Sequence, residues 1–385
     1  MFNTSAAVTE AMRTHALALG IQVQHPPILV GSPGGGKSSV VAAICRKLDL
    51  PLHVLPIPDK REPAQIHGLP DTGDGVVHWL PFEWQKAFCD LDSARTPNCV
   101  VLFDDISMAP AYIQHSLLQC MHDRRFGDLV LERAAMIGAA NPASGSLDIA
   151  AALLNRTWVL DWPDDTLHFA DLLRTGFPDP DVPVVDRGLW AQAKQVWFEL
   201  LAAYLDTVSD LLRPDSSTTL EITDGQPFPS RRSWVTAMEL CAAADAAGIA
   251  DEDEGKALKV LMTRGCVGAP AANSFFTWLA GLPLPKPEEI LGRPGLLTER
   301  GVFDRVDRLW VAVFALVRYT LFKGDVRTWK DAWQVLSYVA EQGKLAFAAN
   351  AARVLNGRRP KGAPKSVPEM AAFEQILHPP KGDRN

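Results

Sequence analysis

The sequence predicts an α/β core, a parallel sheet flanked by helices, followed by an all-helical lid and a C-terminal helical region. Three observations predict it. Over the first 165 residues, short apolar runs alternate with stretches of helical period; a glycine-rich loop separates the first such run from the first helix; and after about Asp164 no further strand-like run occurs. Strands apolar on both faces need cover on both faces, which is the condition of a parallel sheet between helices.

Ile28-Leu29-Val30 is the first strand, and Ser38 to Leu48 the helix that follows the glycines. Leu52 to Ile57, Cys99 to Phe103, Ala135 to Ala140 and Trp158 to Leu160 are four more apolar runs of strand length. Phe82 to Leu91 and Ala111 to His122 carry helical spacing between them. Beyond them Arg187 to Leu212, Ser233 to Ala247, Glu254 to Leu261, Ala271 to Ala280 and Phe303 to Leu321 are helical in period, with a loop at Pro214 to Pro229. The domains expected are a core at 1–164, a lid at 165–285, a helical region at 286–355 and a basic, flexible tail at 356–385 with a short docking helix at Met370 to Leu377. That tail carries a charge of +3 against −10 for the rest of the 385-residue chain.

Composition narrows the function. Hydrophobic residues are 47%, with 11 Trp and 16 Phe, which excludes a disordered chain. The net charge of −7 argues against nucleic acid as the main partner. Met1 to Gly20 lacks the pattern of a signal peptide, and Trp310 to Phe322, interrupted by Arg318, is too short to span a bilayer. The six cysteines (Cys45, Cys89, Cys99, Cys120, Cys241, Cys266) form no C-x-x-C pair and are expected as buried thiols of a cytoplasmic protein, with no zinc site.

Gly31-Ser32-Pro33-Gly34-Gly35-Gly36-Lys37-Ser38, followed by Ser39, matches G-x-x-x-x-G-K-[ST] in its required strand-to-helix context. Backbone N–H groups can wrap phosphates only where Cβ atoms are absent and positive φ is allowed, and the helix N-terminus favours negative charge. Lys37 is thus expected on the β- and γ-phosphates of ATP, and Ser38 on Mg²⁺. Val100 to Asp105 is an apolar strand ending in two acids, which assigns Asp104 to the Mg²⁺ shell and Asp105 to polarising the attacking water. Asn141 ends another strand, and Arg156 precedes the last one. His115 and His122, seven apart, are expected as surface residues of one helix, since a metal needs more ligands. Trp310, Trp329 and Trp333 are expected as core fillers. The acid run Asp251 to Glu254 suits a helix start, and Arg124 and Arg125 fit either a solvated turn or a pore contact.

The order of P-loop, acid pair, Asn, Arg and helical lid resembles AAA+ ATPases, and the local wording is similar to the MoxR family, in its von Willebrand factor A-associated subgroup. The resemblance rests on Arg61 to Pro70, Asp104 to Met121, Asp123 to Leu131 and Pro229-Ser-Arg-Arg-Ser-Trp234. It is strongest from Pro26 to Asp164 and around Arg232. It implies a ring homo-oligomer, commonly a hexamer, with ATP at subunit interfaces; Asn141 as sensor 1; Arg156 as the arginine finger; and Arg232 as sensor 2. It implies a chaperone-like role in remodelling, maturing or metal-loading a client protein, with a von Willebrand factor A domain partner. Asp105 stands where the family usually has Glu, Ser107 where it usually has Asn, and Arg231 where it usually has Pro. The shorter Asp105 side chain leads to the first alternative, an ATP-binding switch or scaffold with little hydrolysis. A nucleic-acid-linked ring ATPase is the second.

Overall fold

The computed structural model describes residues 8–73, 75–91, 95–142, 149–207, 225–249, 253–281 and 284–377. Most of the loop expected at Pro214 to Pro229, the acids Asp251 and Glu252, and the tail charges Lys381, Asp383 and Arg384 lie outside the described residues. Two compact units are present, one within Asn3–Trp190 and Ser209–Phe276, the other within Ala191–Val208 and Thr277–Asn385 together with Met1–Phe2.

In the first unit, helix α1 (Glu10–Gln22) is capped by Thr9, whose hydroxyl accepts from the Met12 N–H. Strand β1 (Pro27–Val30) leads through the glycine loop into α2 (Lys37–Leu48), then β2 (Leu52–Pro56). A short helix α3 (Ala64–His67) and an antiparallel hairpin, β3 (Leu69–Asp71) with β4 (His78–Leu80), come next, then α4 (Glu83–Cys89) and β5 (Cys99–Asp104). Helix α5 (Ala111–Leu118) runs into a π turn at Gln119–Asp123, and a second hairpin, β6 (Arg125–Phe126) with β7 (Leu129–Val130), precedes β8 (Ala134–Ala140). The helix expected over Ala111 to His122 therefore changes geometry at Gln119, and only His115 of the two histidines lies on it. Helix α6 (Ala151–Leu154), β9 (Trp158–Asp161) and α7 (Thr166–Thr175) complete the α/β part. Helix α8 (Arg187–Thr207) follows and lies mostly in the other unit; α9 (Arg231–Ala246), α10 (Asp253–Val267) and the first part of α11 (Ala269–Gly281) belong to this one, and α10 packs against β9.

The five main strands are parallel in the order β2-β5-β8-β1-β9. The expected class is therefore observed. The central strands are buried along their length, as their wholly apolar sequences require: every residue of β8 is buried, as are Cys99 to Phe103 of β5. Ile28, Val101, Phe103, Ile113, Leu117, Met136 and Leu153 share one core beside the sheet. Because all five strands run the same way, their carboxyl ends share one edge. Val30 pairs with Ala140 and Phe103 with Gly138, so the residues that follow these strand ends are neighbours.

The second unit continues with α12 (Pro287–Gly292), α13 (Leu296–Glu299), α14 (Val306–Lys323), α15 (Val326–Val339), α16 (Leu345–Gly357) and α17 (Glu374–Leu377). Trp329 and Trp333 are fully buried at its centre with Leu336, Ala352 and Phe373. In the stretch from 356 where the sequence suggests a flexible tail, Val367, Met370 and Phe373 are buried in this same core and α17 follows. Five of the six cysteines are buried and Cys89 is exposed, which corrects the expectation that all are buried. Burial alone pushes the Cys99 thiol up to about 12; it does the same for Cys45 against a small opposing pull from Arg46. No helix among the described residues is long and apolar enough to cross a membrane.

Candidate nucleotide site

The glycine loop is shaped by two close requirements. A Cβ at Gly31 would lie 2.0 Å from the carbonyl oxygen of Trp162, so the loop enters where only glycine fits. Gly36 is left-handed, with φ +81°, and begins α2 without a side-chain cap. The helix N-terminus is thereby left open to an anion, with its N–H groups and dipole directed at it.

Lys37 is 6% exposed, and its ammonium satisfies all three donors inside the site. Nζ donates to the carbonyls of Gly31 and Ser32, each at 2.8 Å, and to Asn141 Oδ1 at 2.7 Å. Burial pulls its pKa down, and the carboxylates of Asp105, Asp104 and Asp164 push it back up, in that order.

Asn141 joins the ends of β1, β5 and β8. Its Oδ1 accepts from Lys37 while its Nδ2 donates to Asp105 Oδ1. Its backbone is held by Ser107, whose hydroxyl accepts from the Asn141 N–H and donates to the Asn141 carbonyl, both at 3.0 Å. Asp105 sits in the left-handed region at φ +57°, which costs a residue with a Cβ about 1–2 kcal/mol. The strained turn puts the carboxylate against Asn141 instead of continuing the strand.

Ser38 Oγ donates to Asp104 Oδ2 at 3.3 Å. A hydroxyl and a carboxylate oxygen facing each other at the phosphate loop form a hard donor pair, which suits Mg²⁺ with water and phosphate in its remaining positions. The metal there would neutralise phosphate charge. One more acid reaches the loop: the Ser32 hydroxyl donates to Asp164 Oδ2 at 2.5 Å.

The two arginines named from the sequence gather at a second place. Ser230 caps α9, accepting from the Ser233 N–H at 3.1 Å, and its hydroxyl donates to Asn155 Oδ1 at 2.5 Å. That bond ties the start of α9, where Arg232 is the second residue, to the neighbour of Arg156. Arg156 donates to the Ala152 carbonyl at 3.0 Å and lines a surface cavity of about 580 Å³ with Tyr112, His115, Gln119 and Asp123. Burial pulls the His122 pKa down; Asp123 opposes this, while Arg232, Arg156 and Arg124 lower it further. Among the described residues, the hydrogen-bond network around Lys37 includes neither Arg156 nor Arg232.

Lys37, Ser38, Asp104, Asp105 and Asn141 are thus brought together, while Arg156 and Arg232 both bear on His122. Sequence reasoning missed Asp164, although an acid directly after the last strand at the same sheet edge was a usable signal. It also missed that His122 and Arg124 share the arginine cluster, for which the sequence offers no signal.

Residues 26–157 match the AAA domain family, dynein-related subfamily. No curated protein sequence matches the chain. Among solved structures, a protein of Cytophaga hutchinsonii provisionally described as an ATPase is 14% identical, covering 72% of this chain and 94% of its own, with a TM-score of 0.41. A mutant RuvB of Thermotoga maritima is 13% identical over 75% of this chain and 76% of its own, TM-score 0.28. NtrX of Brucella abortus in complex with ATP is 11% identical over 86% of this chain and 68% of its own, TM-score 0.28. At TM-scores below 0.5 these likenesses are loose. The chain is an ATPase carrying an AAA domain.

Proposed function

From that AAA domain, we propose a MoxR-like ATPase that works as a ring, commonly a hexamer, and couples ATP hydrolysis with Mg²⁺ to remodelling, maturing or metal-loading a client protein. A von Willebrand factor A domain protein is its partner by the same resemblance, and the cytoplasm its location. Lys37, with the loop from Gly31 through Ser39, holds the phosphates; Ser38 and Asp104 hold the metal. Asp105 polarises the attacking water, and Asn141 fixes both Lys37 and Asp105.

The observation that carries the ring is the separation of charge into two places. Arg156 and Arg232 both act electrostatically on His122 and take no part in the Lys37 network, so the anion they suit is the phosphate of a neighbouring chain. An arginine supplied from outside stabilises transition-state charge and makes turnover depend on assembly. Client contact is supported by the hairpin of β3 and β4, where Leu69, Val76, Val77 and Leu80 are each more than half exposed.

A second reading, a switch that assembles with ATP but hardly hydrolyses it, is favoured by Asp105, which is one methylene shorter than Glu and tied to Asn141. Steady-state ATPase assays on wild type, Lys37→Ala and Asp105→Glu separate the two. Wild type turning over well above Lys37→Ala supports the remodeler; wild type no faster than Lys37→Ala while still binding ATP supports the switch. Capture with Asp105→Asn in ATP, followed by mass spectrometry, tests the partner: a ring with no co-purifying von Willebrand factor A domain protein contradicts it.

A further inference from the structure

Three carboxylates bear on Lys37. Asp104 faces the Ser38 hydroxyl, where a cation fits, and Asp105 is hydrogen-bonded by Asn141. Asp164 is the third. It directly follows Pro163 at the carboxyl end of β9, outside the matched residues 26–157, and its partner is the neutral hydroxyl of Ser32. Its other oxygen lies so close over the loop that a Cβ at Gly35 would sit 2.8 Å from it. The carboxylate therefore lies against the backbone that cradles phosphate, and the phosphates meet its charge.

We propose that Asp164 is a positioning residue of the nucleotide site: it pins the lip of the phosphate loop through Ser32, and its negative charge limits how tightly the loop holds a triphosphate. The inference rests on the nucleotide reading of the loop. Two effects of opposite sign are combined in one side chain. The tether orders Ser32, whose carbonyl is one of the acceptors of Lys37 Nζ, so losing it loosens the lysine that reaches the phosphates. The charge opposes the ligand, more for ATP than for ADP because ATP carries the further phosphate. Since Asp164 is exposed, salt screens this opposition.

The residue also links the loop to α7. Asp165, the next residue, caps that helix by accepting from the N–H groups of Leu167 and His168 at 3.1 and 2.9 Å. No residue of α7 is fully buried, and the His168–Glu10 ion pair at 3.3 Å ties it to α1.

Three variants separate tether from charge. Asp164→Asn keeps an acceptor oxygen for Ser32 and removes the charge. Asp164→Ala removes both. Ser32→Ala keeps the charge and removes the tether. Calorimetry gives Kd for ATP and ADP, steady-state assays give kcat and KM, and thermal melting confirms that each variant folds. Asp164→Asn is expected to bind ATP about two- to fivefold more tightly than wild type, with a smaller gain for ADP and a gain that shrinks at high salt. The kcat of Asp164→Ala and of Ser32→Ala is expected well below that of Asp164→Asn, and Ser32→Ala gains no ATP affinity. If Asp164→Asn binds ATP no more tightly than wild type, or if its kcat equals that of Asp164→Ala, the proposal is overturned. Lys37→Ala keeps this distinct from the underlying reading. Wild type binding ATP no better than Lys37→Ala removes the nucleotide site itself and the proposal with it; wild type binding far better, with Asp164→Asn unchanged, removes the role of Asp164 alone.

Discussion

Two charged clusters in the same compact unit are built on opposite rules. Around Lys37, every charge meets a partner: the ammonium has three acceptors, Asp105 has Asn141, Asp104 has Ser38 and Asp164 has Ser32. Around His122, Arg232, Arg156 and Arg124 add to burial in disfavouring a protonated ring, and the one carboxylate of Asp123 opposes them. A self-satisfied cluster adds to the stability of the chain that contains it. A gathering of like charges costs stability until an anion arrives. The P-loop network is thus paired within one chain, whereas around His122 three arginines face the single carboxylate of Asp123, an excess of positive charge that suits an anion from outside.

The contrast between the two clusters is largest at Arg156. Arg156→Ala should lower ATP turnover by about 10³-fold or more, while the melting temperature of the chain holds or rises. Loss of folding instead would make Arg156 an internal support and erase the contrast. The pair Lys259–Asp245, 2.5 Å apart with side chains 2% and 7% exposed, extends the self-satisfied rule to α9 and α10. Lys259→Ala should destabilise by about 3–5 kcal/mol in urea unfolding, because it leaves a buried carboxylate without its counter-charge. A loss under 1 kcal/mol would show that internal pairing here contributes little.

Asn141→Ala sharpens the first cluster. It removes an acceptor from Lys37 and a donor from Asp105 together, so turnover should fall by about 10²-fold and stability by about 1–3 kcal/mol. Arg232→Ala, in contrast, should lower turnover with no loss of stability. The smallest effect concerns pH. Burial holds His67 below its ordinary 6.5, partly opposed by its bond to Ser116. Gly127 N–H donates to Nδ1 at 3.3 Å, so Nε2 carries the proton and donates to Ser116 Oγ at 2.6 Å. A histidine whose folded pKa is depressed is favoured in its neutral form, so the unfolded chain takes up the proton first. Stability therefore falls as pH drops below 6.5, and His67→Gln should flatten that fall in acid-range denaturation curves. An unchanged slope would remove His67 from the account.

Much of this site was legible in the sequence because its constraints are local. A loop that needs glycines, an apolar strand ending in acid and an Asn at a strand end each occupy a few consecutive residues, and a parallel sheet brings such ends to one edge whatever the order of its strands. The order β2-β5-β8-β1-β9 itself was not legible, since it depends on pairing between residues far apart in the chain. Asp164 stands at the expected sheet edge, but its bond to a hydroxyl 132 positions away was not legible. That the start of α9, with Arg232, is tied beside Arg156 by a bond between Ser230 and Asn155 was likewise not legible, since such side chains are common in any loop. Helix α1 and the hairpin of β3 and β4 were missed for a different reason: α1 is buried on most of its surface and shows no polar face, and the hairpin strands are three residues each, too short for a period.

The central claim is that the two clusters of one chain act on two different nucleotides. Mixing Lys37→Ala chains with Arg156→Ala chains before assembly tests it directly. Each variant alone lacks one half of every site, but a mixed ring places intact phosphate loops beside intact arginines. The account predicts that the equal mixture regains activity, up to about a quarter of the wild-type rate if sites are independent and subunits assort at random in a head-to-tail ring. A mixture no faster than the two variants measured separately would contradict it and return both clusters to a single site within one chain.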